Sequence, residues 1–576
     1  MYSAIKSAFG LLTAKQRREY WLVAVLLSIT AIADLIGIAA VIPAITSLID
    51  FESAVEKGYL HTLYVWLGEP EKSKFLAMTT LGAVGFIWGG ALMTTLGVFA
   101  RQRFIRRVSA DISARAFNFY MVQSIEPFYS RPGSEFLRNV NGVSERVSAG
   151  IIDSSFVILS RSVQLGVIAA LLMAFNVRVT LFILLIIAGA YFLVYSLIKT
   201  KLKSMSAENF ESQKQLNQMI TGSYADYRNI HIDGRLRDYL EHFRQIKTGT
   251  SRKTANIEIL GTIPRNFIEV LGMTLLLIAA YYLGKSADNP HQLVTTISLF
   301  AIAAYKILPA AQQIYHAVSK VTGATVVFER VKEEWKSLPF TASMTAPSRA
   351  VDDFRQLSLD GLCYAHHGQD WVIQNLTADL TLTGVVRING PSGAGKTTLI
   401  ELLAGLRKPQ LGTIRLDHGD LNDIPRPQWW ASIAYVNQNG YLFEGSLLEN
   451  IAGSASTYDA PLYDSIYDIC GLDSLPGGAV SEGATNLSGG QKCRVLIARA
   501  LYKKAQLLFL DESLAPLDVG SAKAILRGIQ QTFPACCIFI ISHRSEELEK
   551  GHQELMLQPA NAQTSITSSA SGHENP

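Results

Sequence analysis

A glycine-rich loop separates a short apolar strand from a helical run in the C-terminal third of the chain. The strand reads VVRIN at residues 385–389, and the loop reads GPSGAGKTT at residues 390–398. Glycines let such a loop curl until its backbone N–H groups point at phosphate oxygens, and the following helix adds its dipole. The residues expected to hold the phosphates of ATP are Gly390, Ser392, Gly393, Gly395, Lys396, Thr397 and Thr398.

Two side chains of this loop and an acidic pair later in the chain indicate nucleotide hydrolysis. The ammonium of Lys396 can reach the β- and γ-phosphates, and the hydroxyl of Thr397 can ligate Mg²⁺. A second apolar strand, LLFL at residues 507–510, ends in Asp511 and Glu512. Ligands bind at this edge of open α/β sheets, so we expect Asp511 to hold Mg²⁺ and Glu512 to act as general base. An adjacent acidic pair can also form a solvated turn, but the apolar strand before it favours the catalytic interpretation.

A second helix start suited to a phosphate lies between these two strands. It is opened by Ser488, Gly489, Gly490 and Gln491, and the helical run continues to about Tyr502. A chain with one phosphate loop has no obvious use for a second anion site of this kind within itself.

The chain as a whole has the composition of a membrane protein. Of its 576 residues, 49% are hydrophobic and only 17% are charged, and the net charge of +4 gives no argument for a nucleic-acid partner. A spanning helix needs about 20 mostly apolar residues. Six candidate spans are 20–48, 75–100, 151–175, 179–198, 266–284 and 292–314.

Charges at the ends of these spans predict their orientation. Basic residues precede the first span and follow the second and fourth, which places those ends and the ATPase part in the cytoplasm. All five cysteines lie in the C-terminal part without metal-ligand spacing, which is consistent with a reducing compartment. We therefore expect an integral membrane protein, with a bacterial inner (cell) membrane as its location.

These features predict five parts in the chain. Residues 1–19 mix apolar and basic positions, as in an interfacial amphipathic helix. Residues 20–338 are expected to form the transmembrane domain, with six helices and two cytoplasmic coupling hairpins. A linker at 339–352 leads to a nucleotide-binding domain at 353–559, and a disordered tail follows at 560–576.

The two hairpins correspond to connections that are too long and too polar for simple loops. They lie at about 101–150 and 200–265, and each contains a turn-like break, at 127–133 and 224–234. A break at the far end of a helical hairpin offers a short surface helix that can dock on a cytosolic domain. A hairpin that is merely solvated explains the same sequence equally well.

The segment LSGGQ at residues 487–491 resembles the signature sequence of the ABC ATPase family. Four further residues match other motifs of that family: Gln438 the Q-loop, Asp518 the D-loop, His543 the switch histidine and Tyr364 the aromatic residue that stacks on adenine. The resemblance covers about 355–558. It departs from the family pattern at Pro516 in the D-loop and at Cys493 after the signature.

The resemblance implies an α-helical six-span membrane domain joined to an α/β P-loop ATPase domain of the ABC type. It also implies a homodimer in which each ATP lies between one phosphate loop and the other chain's signature. The residues that would act in trans are Ser488, Gly489, Gly490, Gln491 and Asp518. Gln438 would join Thr397 and Asp511 at the metal, and Glu512, His543 and Gln438 would form the catalytic group.

The membrane domain looks like that of the exporter arrangement, and short motifs are similar to the branch that flips lipid-linked oligosaccharides. These motifs are IPRNFIE at residues 263–269 and AYKILP at residues 304–309. In that branch, basic residues in the cavity bind the pyrophosphate of the lipid, which makes Arg265, Lys306 and Arg161 candidate headgroup ligands. Internal ion pairing of Asp153 with Arg161, or of Arg265 with Glu269, is the alternative interpretation.

We therefore expect an ATP-driven exporter or flippase that moves an amphiphilic, lipid-linked substrate outward, with membrane lipid and a second copy of the chain as partners. An exporter of peptides, drugs or a lipid-A-like glycolipid is an alternative, which stimulation of the purified ATPase would distinguish. An ATP-gated regulatory membrane protein is a third possibility, although Glu512 and His543 argue against it. A binding-protein-dependent importer usually has separate chains for its domains.

Overall fold

The fold is taken from a computed structural model, which describes residues 2–558 apart from short gaps. The gaps are 50, 57–58, 124, 130, 176, 286–289, 337–350, 352–353, 367–369, 418, 476–478, 543 and 545–551. The chain divides into two compact units, a helical unit of residues 1–123 and 128–343, and an α/β unit of residues 344–576 with which residues 124–127 are grouped. The predicted combination of a helical membrane domain with an α/β domain is confirmed. The predicted linker at 339–352 and tail at 560–576 lie almost wholly outside the described residues.

The described residues before residue 344 form thirteen α-helices. In chain order they are α1 (Tyr2–Gly10), α2 (Ala14–Ala39), α3 (Val41–Ile49), α4 (Phe51–Glu56), α5 (Tyr59–Trp66), α6 (Lys72–Met121), α7 (Ile125–Tyr129), α8 (Gly133–Leu137), α9 (Asp153–Phe175), α10 (Val177–Ala225), α11 (Tyr227–Ile232), α12 (Leu236–Lys285) and α13 (Pro290–Trp335). Two π-helical turns, Arg138–Val143 and Arg146–Ile152, join α8 to α9.

Four of these helices are far longer than a membrane is thick. The helices α6 and α12 have 50 residues each, α10 has 49 and α13 has 46. At 1.5 Å per residue each is about 70–75 Å long, against a hydrocarbon core of about 30 Å. Each therefore extends well beyond the membrane, and the short helices α7 and α11 lie where the long hairpins turn.

Helices long and apolar enough to cross a membrane occur in four places in the described residues: 14–37, 72–121, 133–174 and 180–225. The fifth and sixth predicted spans fall on α12 and α13, where many side chains lie outside the described residues. The N-terminal segment, predicted as one interfacial helix, forms α1 and the first turns of α2. One face of α1 is buried against the helical bundle through Ala4 and Ala8, and Arg115 donates a 2.7 Å hydrogen bond to the carbonyl of Leu11.

The α/β unit contains nine strands and six α-helices within the described residues. The strands are β1 (Gln356–Ala365), β2 (Trp371–Thr381), β3 (Val385–Asn389), β4 (Leu411–Leu416), β5 (Gly419–Asp420), β6 (Ile433–Asn437), β7 (Leu507–Asp511), β8 (Cys537–Ile541) and β9 (Gln553–Met556). The helices are α14 (Lys396–Leu403), α15 (Arg426–Ser432), α16 (Leu447–Ala452), α17 (Ala460–Cys470), α18 (Gly489–Tyr502) and α19 (Val519–Thr532).

These strands form two sheets with different roles. An antiparallel sheet has the order β2-β1-β4-β5, and a parallel sheet has the order β6-β7-β8-β3-β9. Every residue of β7 and β8 is buried, as expected for strands covered on both faces. Parallel strands end at the same edge, so this sheet brings the segments that follow β3, β6, β7 and β8 together.

Candidate nucleotide site and intramembrane charges

The predicted nucleotide residues follow the carboxyl ends of neighbouring parallel strands. Asn437 on β6 lies opposite Asp511 on β7, which in turn lies opposite Ile541 on β8. Gln438 comes directly after Asn437 and is exposed in the turn that ends β6. This register brings the Q-loop, the acidic pair and the segment that leads to residue 543 to one edge of the sheet. His543 itself lies outside the described residues.

The phosphate loop needs glycine at two positions, and the reasons are the same at both. Gly390 has φ +152°, and a Cβ there would lie 2.5 Å from the carbonyl oxygen of Leu557. Gly395 has φ +85°, and a Cβ there would lie 2.9 Å from Val372. A side chain at either position would therefore meet both backbone strain and a steric clash, so that only glycine lets α14 begin directly behind the loop.

Lys396 lies across the loop rather than away from it. Its Nζ donates hydrogen bonds to the carbonyl oxygens of Gly390 at 2.8 Å and Pro391 at 3.0 Å, and the residue is only 8% exposed. A buried ammonium needs such partners. Carbonyl groups leave the positive charge uncompensated, so it remains available to a phosphate that enters the loop.

Thr397 and Asp511 are in direct contact. The Thr397 hydroxyl donates to Oδ1 of Asp511 at 3.1 Å, and the Tyr435 hydroxyl donates to Oδ2 at 3.0 Å. Burial raises the pKa of the Asp511 carboxyl above its usual value, partly offset by these two hydrogen bonds. Hydroxyl and carboxylate oxygens are the ligands that Mg²⁺ prefers, so this pair fits the metal predicted for Thr397, Gln438 and Asp511.

Glu512 has a strained backbone at the position where a catalytic side chain is expected. Its φ is +50°, a left-handed conformation that non-glycine residues rarely adopt. Its N–H donates a 3.2 Å hydrogen bond to the carbonyl of Ile541 at the end of β8. This bond fixes the loop after β7 beside the segment that leads to residue 543.

The signature segment forms a capped helix start on α18. The Ser488 hydroxyl accepts a hydrogen bond from the Gln491 N–H at 3.2 Å, and the Gln491 side chain accepts one from the Ser488 N–H at 2.9 Å. A Cβ at Gly490 would lie 3.3 Å from the carbonyl oxygen of Pro516, so the signature and the D-loop of one chain pack closely. Asp518 caps α19, where its carboxylate accepts the N–H of Ser521 at 2.8 Å and has a lowered pKa because of the hydrogen bonds from Ser521.

The prediction that Tyr364 stacks on adenine is not supported by its environment. Tyr364 is 1% exposed and belongs to the core of the α/β unit, and its hydroxyl accepts a 2.8 Å hydrogen bond from Arg407. A covered ring has no open face for a base. His366, one residue beyond β1, is partly exposed, and its ring lies edge-on to that of Tyr364 with centroids 5.4 Å apart.

The charges of the membrane-spanning helices are paired differently from the expected pattern. Asp153 lies 3.3 Å from Arg101, not beside Arg161, because it faces α6 across the bundle. Arg161 donates to the side-chain oxygens of Gln313 at 2.8 Å and Gln164 at 2.6 Å. The helix position of Arg265 is described, but its side chain lies outside the described residues, so its predicted pairing with Glu269 stays untested.

Lys306 has a partner that is distant in sequence. Its Nζ lies 2.6 Å from Oδ2 of Asp34, which joins α13 to α2, and the two side chains are 18% and 32% exposed. In the sequence, Lys306 has no carboxylate within helical reach. Lys306, one of the predicted headgroup ligands, therefore makes an ion pair between two helices.

Two family models match the chain in the same order as its two units. The ABC transporter transmembrane region matches residues 22–305, and the ABC transporter ATPase model matches residues 373–515. The chain belongs to the ABC transporters. It carries one membrane domain and one ATPase domain, which is the half-transporter arrangement, and its ATPase domain binds ATP and couples hydrolysis to transport.

Relatives of this ABC transporter include several named flippases. The chain is 25% identical over 492 residues to the ATP-dependent lipid A-core flippase of Xylella fastidiosa, with 83% of this chain and 82% of the relative covered. The flippase of the same name from Francisella novicida is 23% identical, with 84% of each chain covered. A solved bacterial Atm1-family ABC exporter with ATP bound shares the fold at a TM-score of 0.75 and 17% identity, with 95% of each chain covered.

The sequence alone did not reveal three polar partners in this ABC transporter. Tyr435 hydrogen-bonds the buried Asp511 from the neighbouring strand, and Asp34 and Gln313 bind Lys306 and Arg161 from other helices. Tyr435 places a hydroxyl within the apolar part of β6, residues 433–436, a signal that could have been noticed. The other two partners depend on how the helices pack, which the sequence does not contain in any local pattern.

Proposed function

We propose that two copies of this chain form an exporter that moves a phosphate-bearing, lipid-linked oligosaccharide outward across a bacterial inner membrane, with the ATPase domains in the cytoplasm. The observation that carries the substrate class is the pair of cationic side chains, Lys306 and Arg161, held on the spanning helices by Asp34 and by two glutamines. Intramembrane cations are costly and are usually retained for function. Short motif similarities favour the lipid-linked oligosaccharide.

A lipid-A-like glycolipid is a second candidate substrate. Several relatives at about 25% identity are named lipid A-core flippases, which supports it. Both substrates are amphiphiles with phosphates next to sugars and hydrocarbon chains. The same cationic residues can serve either one, so identification of the substrate depends on a direct comparison.

In the proposed ATPase cycle each residue has a defined task. Lys396 and the loop glycines bind the β- and γ-phosphates, and Glu512 accepts a proton from the water whose oxygen attacks the γ-phosphorus. Thr397, Gln438 and Asp511 would hold Mg²⁺, which when bound neutralises charge on the phosphate oxygens. His543 would contact the γ-phosphate. His366 is proposed in place of Tyr364 as the side chain that contacts adenine, because its ring is the more open of the two.

The partner chain completes each site in this proposal. The γ-phosphate bound by the other copy would be contacted by four signature residues, Ser488, Gly489, Gly490 and Gln491. Asp518, which is also predicted to act in trans, would lie next to them. The positive end of the helix dipole at the N-terminus of α18 is suited to that anion. ATP would then stabilise the conformation in which the two ATPase domains meet, and hydrolysis would release it.

At the proposed substrate site, an anionic headgroup would compete with Asp34 for Lys306 and would displace glutamine oxygens from Arg161. A carboxylate and a phosphate cannot both take the full charge of one ammonium, so binding the headgroup would loosen the link between α2 and α13. This gives a physical route from substrate binding to a change in helix packing. Arg265 is retained as a third proposed ligand on the basis of sequence.

The experiment compares ATPase stimulation in lipid nanodiscs by a purified undecaprenyl-pyrophosphate-linked oligosaccharide and by a lipid A-core glycolipid. The substrate should raise the turnover of the wild-type protein, and Lys306→Ala and Arg161→Ala should lose this increment while basal turnover persists. Arg178→Ala, which removes an exposed cation from the start of α10, is the matched control. Full stimulation in both test variants would overturn the assignment, and the more potent glycolipid identifies the substrate.

A further inference from the structure

A cavity of about 260 Å³ lies among α10, α12, α13 and the π-helical turn Arg146–Ile152. Three basic side chains line it (Arg146, His316 and Lys320), and the acidic side chain is that of Glu258. Ser206 and Asn209 add a hydroxyl and an amide. The polar groups are thus arranged around an excess of positive charge.

The cations that line this cavity differ from neighbouring cations in whether a carboxylate pairs with them. Arg138, Arg146 and Arg330 all lie near the ring of Phe210, with guanidinium carbons 4.6, 5.7 and 4.7 Å from its centroid. Arg138 and Arg330 also pair with glutamates, at 3.8 and 3.2 Å. Among the described residues, neither Arg146 nor Lys320 forms an ion pair. Like charges that line one cavity with a single carboxylate, that of Glu258, favour an anion between them.

The backbone around the cavity is built to leave this space open. Arg146 begins a π-helical turn, a rare conformation that is frequent at functional sites. Glycines line two of its walls: a Cβ at Gly261 would lie 3.6 Å from Nδ1 of His316, and one at Gly323 would lie 3.3 Å from the Ser206 hydroxyl. A larger residue at Gly323 would crowd the Ser206 hydroxyl, and one at Gly261 would contact the ring of His316.

The cavity is separate from the charges already assigned to substrate. His316 and Lys320 follow the predicted sixth span on α13, toward the connection with the ATPase domain, whereas Lys306 and Arg161 bind Asp34 and glutamines. Leu202 and Ile257 give the cavity an apolar wall beside its cations. A phosphate joined to a hydrocarbon chain matches both kinds of surface.

We propose that this cavity binds the phosphate group of an anionic amphiphile at the cytoplasmic end of the spanning helices, before the amphiphile reaches Lys306. Arg146 and Lys320 supply the charge, and Ser206 and Asn209 supply hydrogen bonds. The inference rests on the proposed export of a phosphate-bearing amphiphile. The shared chemistry is a phosphate, which a lipid headgroup or a free phosphate compound can supply.

Binding is tested with full-length protein in neutral detergent and saturating ADP, so that the nucleotide site is occupied. The probe is short-chain phosphatidic acid, titrated by calorimetry, with short-chain phosphatidylcholine as the zwitterionic comparison. Arg146→Ala and Lys320→Ala should each weaken phosphatidic acid binding about tenfold, since each removes a charge-assisted contact. Arg146→Lys should retain most of the affinity. Both side chains are exposed, so neither replacement opens the core.

Lys203→Ala is the matched control, because Lys203 is an exposed cation on α10 beside the cavity residue Leu202 but does not line the cavity. Competition by inorganic pyrophosphate would show that phosphate alone suffices, and lack of competition would show that the hydrocarbon chain is needed; either result supports the site. Unchanged affinity in Arg146→Ala and Lys320→Ala, or equal loss in Lys203→Ala, overturns it. The binding assay needs no ATP turnover. Binding at the cavity can therefore be absent while stimulation through Lys306 is present, and stimulation can be absent while binding at the cavity is present.

Discussion

The ammonium of Lys306 and the carboxylate of Asp34 lie 2.6 Å apart, although 272 residues separate them in the sequence. The pair connects α2, the first long helix, to α13, the last. Both charges are less than one-third exposed, so their attraction is screened less than that of a surface pair. A transported anion that takes Lys306 must therefore replace a specific bond between two helices.

Removing either member of this pair should destabilise the protein more than removing both. Lys306→Met leaves a carboxylate without its partner, and Asp34→Asn leaves an ammonium without its partner, whereas the double variant leaves neither charge. We expect a coupling energy of about 1 kcal/mol, seen as a double variant whose apparent melting temperature exceeds the additive value. The measurement is thermal unfolding in detergent, followed by tryptophan fluorescence.

The exposed surface pair Lys336–Glu333 provides a comparison for this cycle, because its side chains are 64% and 76% exposed. Its double-mutant cycle should give almost no coupling. Additive effects at Asp34 and Lys306 would contradict a structural role for their contact.

The fold of the ATPase domain, and the places of its phosphate loop and acidic pair in that fold, were predictable because these motifs are local. A loop such as 390–398 must follow a strand and precede a helix, and an apolar strand that ends in Asp511 and Glu512 has one natural place in a parallel sheet. The membrane domain was predictable only as spans. Ion pairs such as Lys306–Asp34 and Arg101–Asp153 depend on helix rotation and register, which apolar runs leave undetermined.

Tyr364 shows a different limit of sequence reasoning. An aromatic residue near the end of β1 fits both a buried position and an adenine contact, and the two alternatives differ by the direction in which one strand residue points. Side chains normally alternate along a strand, but Leu362, Cys363 and Tyr364 are all buried where the pairing of β1 with β2 shifts register. Tyr364 therefore stays in the core, and the partly exposed His366 follows the last residue of the strand.

Glu512→Gln should abolish turnover and leave nucleotide binding intact. The amide has nearly the same shape as the carboxylate but cannot accept the proton of the attacking water, and loss of a general base lowers rates by about 10²–10⁴-fold. Phosphate release measures turnover, and a fluorescent ATP analogue measures binding. Glu444→Gln, at an exposed glutamate of the same domain, should retain wild-type turnover. Hydrolysis at the normal rate in Glu512→Gln would rule out the proposed base.

Because the pKa of Asp511 is raised, we expect that replacing its carboxyl group increases the stability of the protein while it abolishes activity. A carboxyl whose pKa is higher in the folded state than in the unfolded state contributes stability below its unfolded pKa and loses it as pH rises through the folded pKa. At neutral pH the ionised Asp511 therefore destabilises the nucleotide-free protein. Asp511→Asn should raise the melting temperature at pH 7.5, with the difference shrinking as pH falls toward 4, and should abolish hydrolysis. A lowered melting temperature at pH 7.5 would contradict this prediction.

The native cysteines should be inert toward alkylating reagents. All five are free and buried, and burial raises the pKa of Cys470, Cys493, Cys536 and Cys537 to about 12. The thiolate is the reactive form, so labelling by N-ethylmaleimide at pH 8 should be very slow until the protein is unfolded. Mass spectrometry measures the label, and Ser456→Cys, at an exposed position, is the positive control. Rapid labelling of the native wild-type chain would disagree with this burial.

Unreactive native thiols make a disulfide test of the proposed dimer possible without first removing them. Ser392 in the phosphate loop and Ser488 at the start of α18 are both exposed. If each ATP lies between the loop of one copy and the signature of the other, the variant with Ser392→Cys and Ser488→Cys should form a disulfide between chains in the presence of MgATP and an oxidant. A disulfide needs Cα atoms about 4.4–6.8 Å apart, so random collisions in solution should not produce it efficiently. Each single variant should stay monomeric on a non-reducing gel, and the band of doubled mass should weaken without nucleotide. A double variant that remains monomeric under MgATP, while both new thiols react with maleimide, would contradict the head-to-tail arrangement.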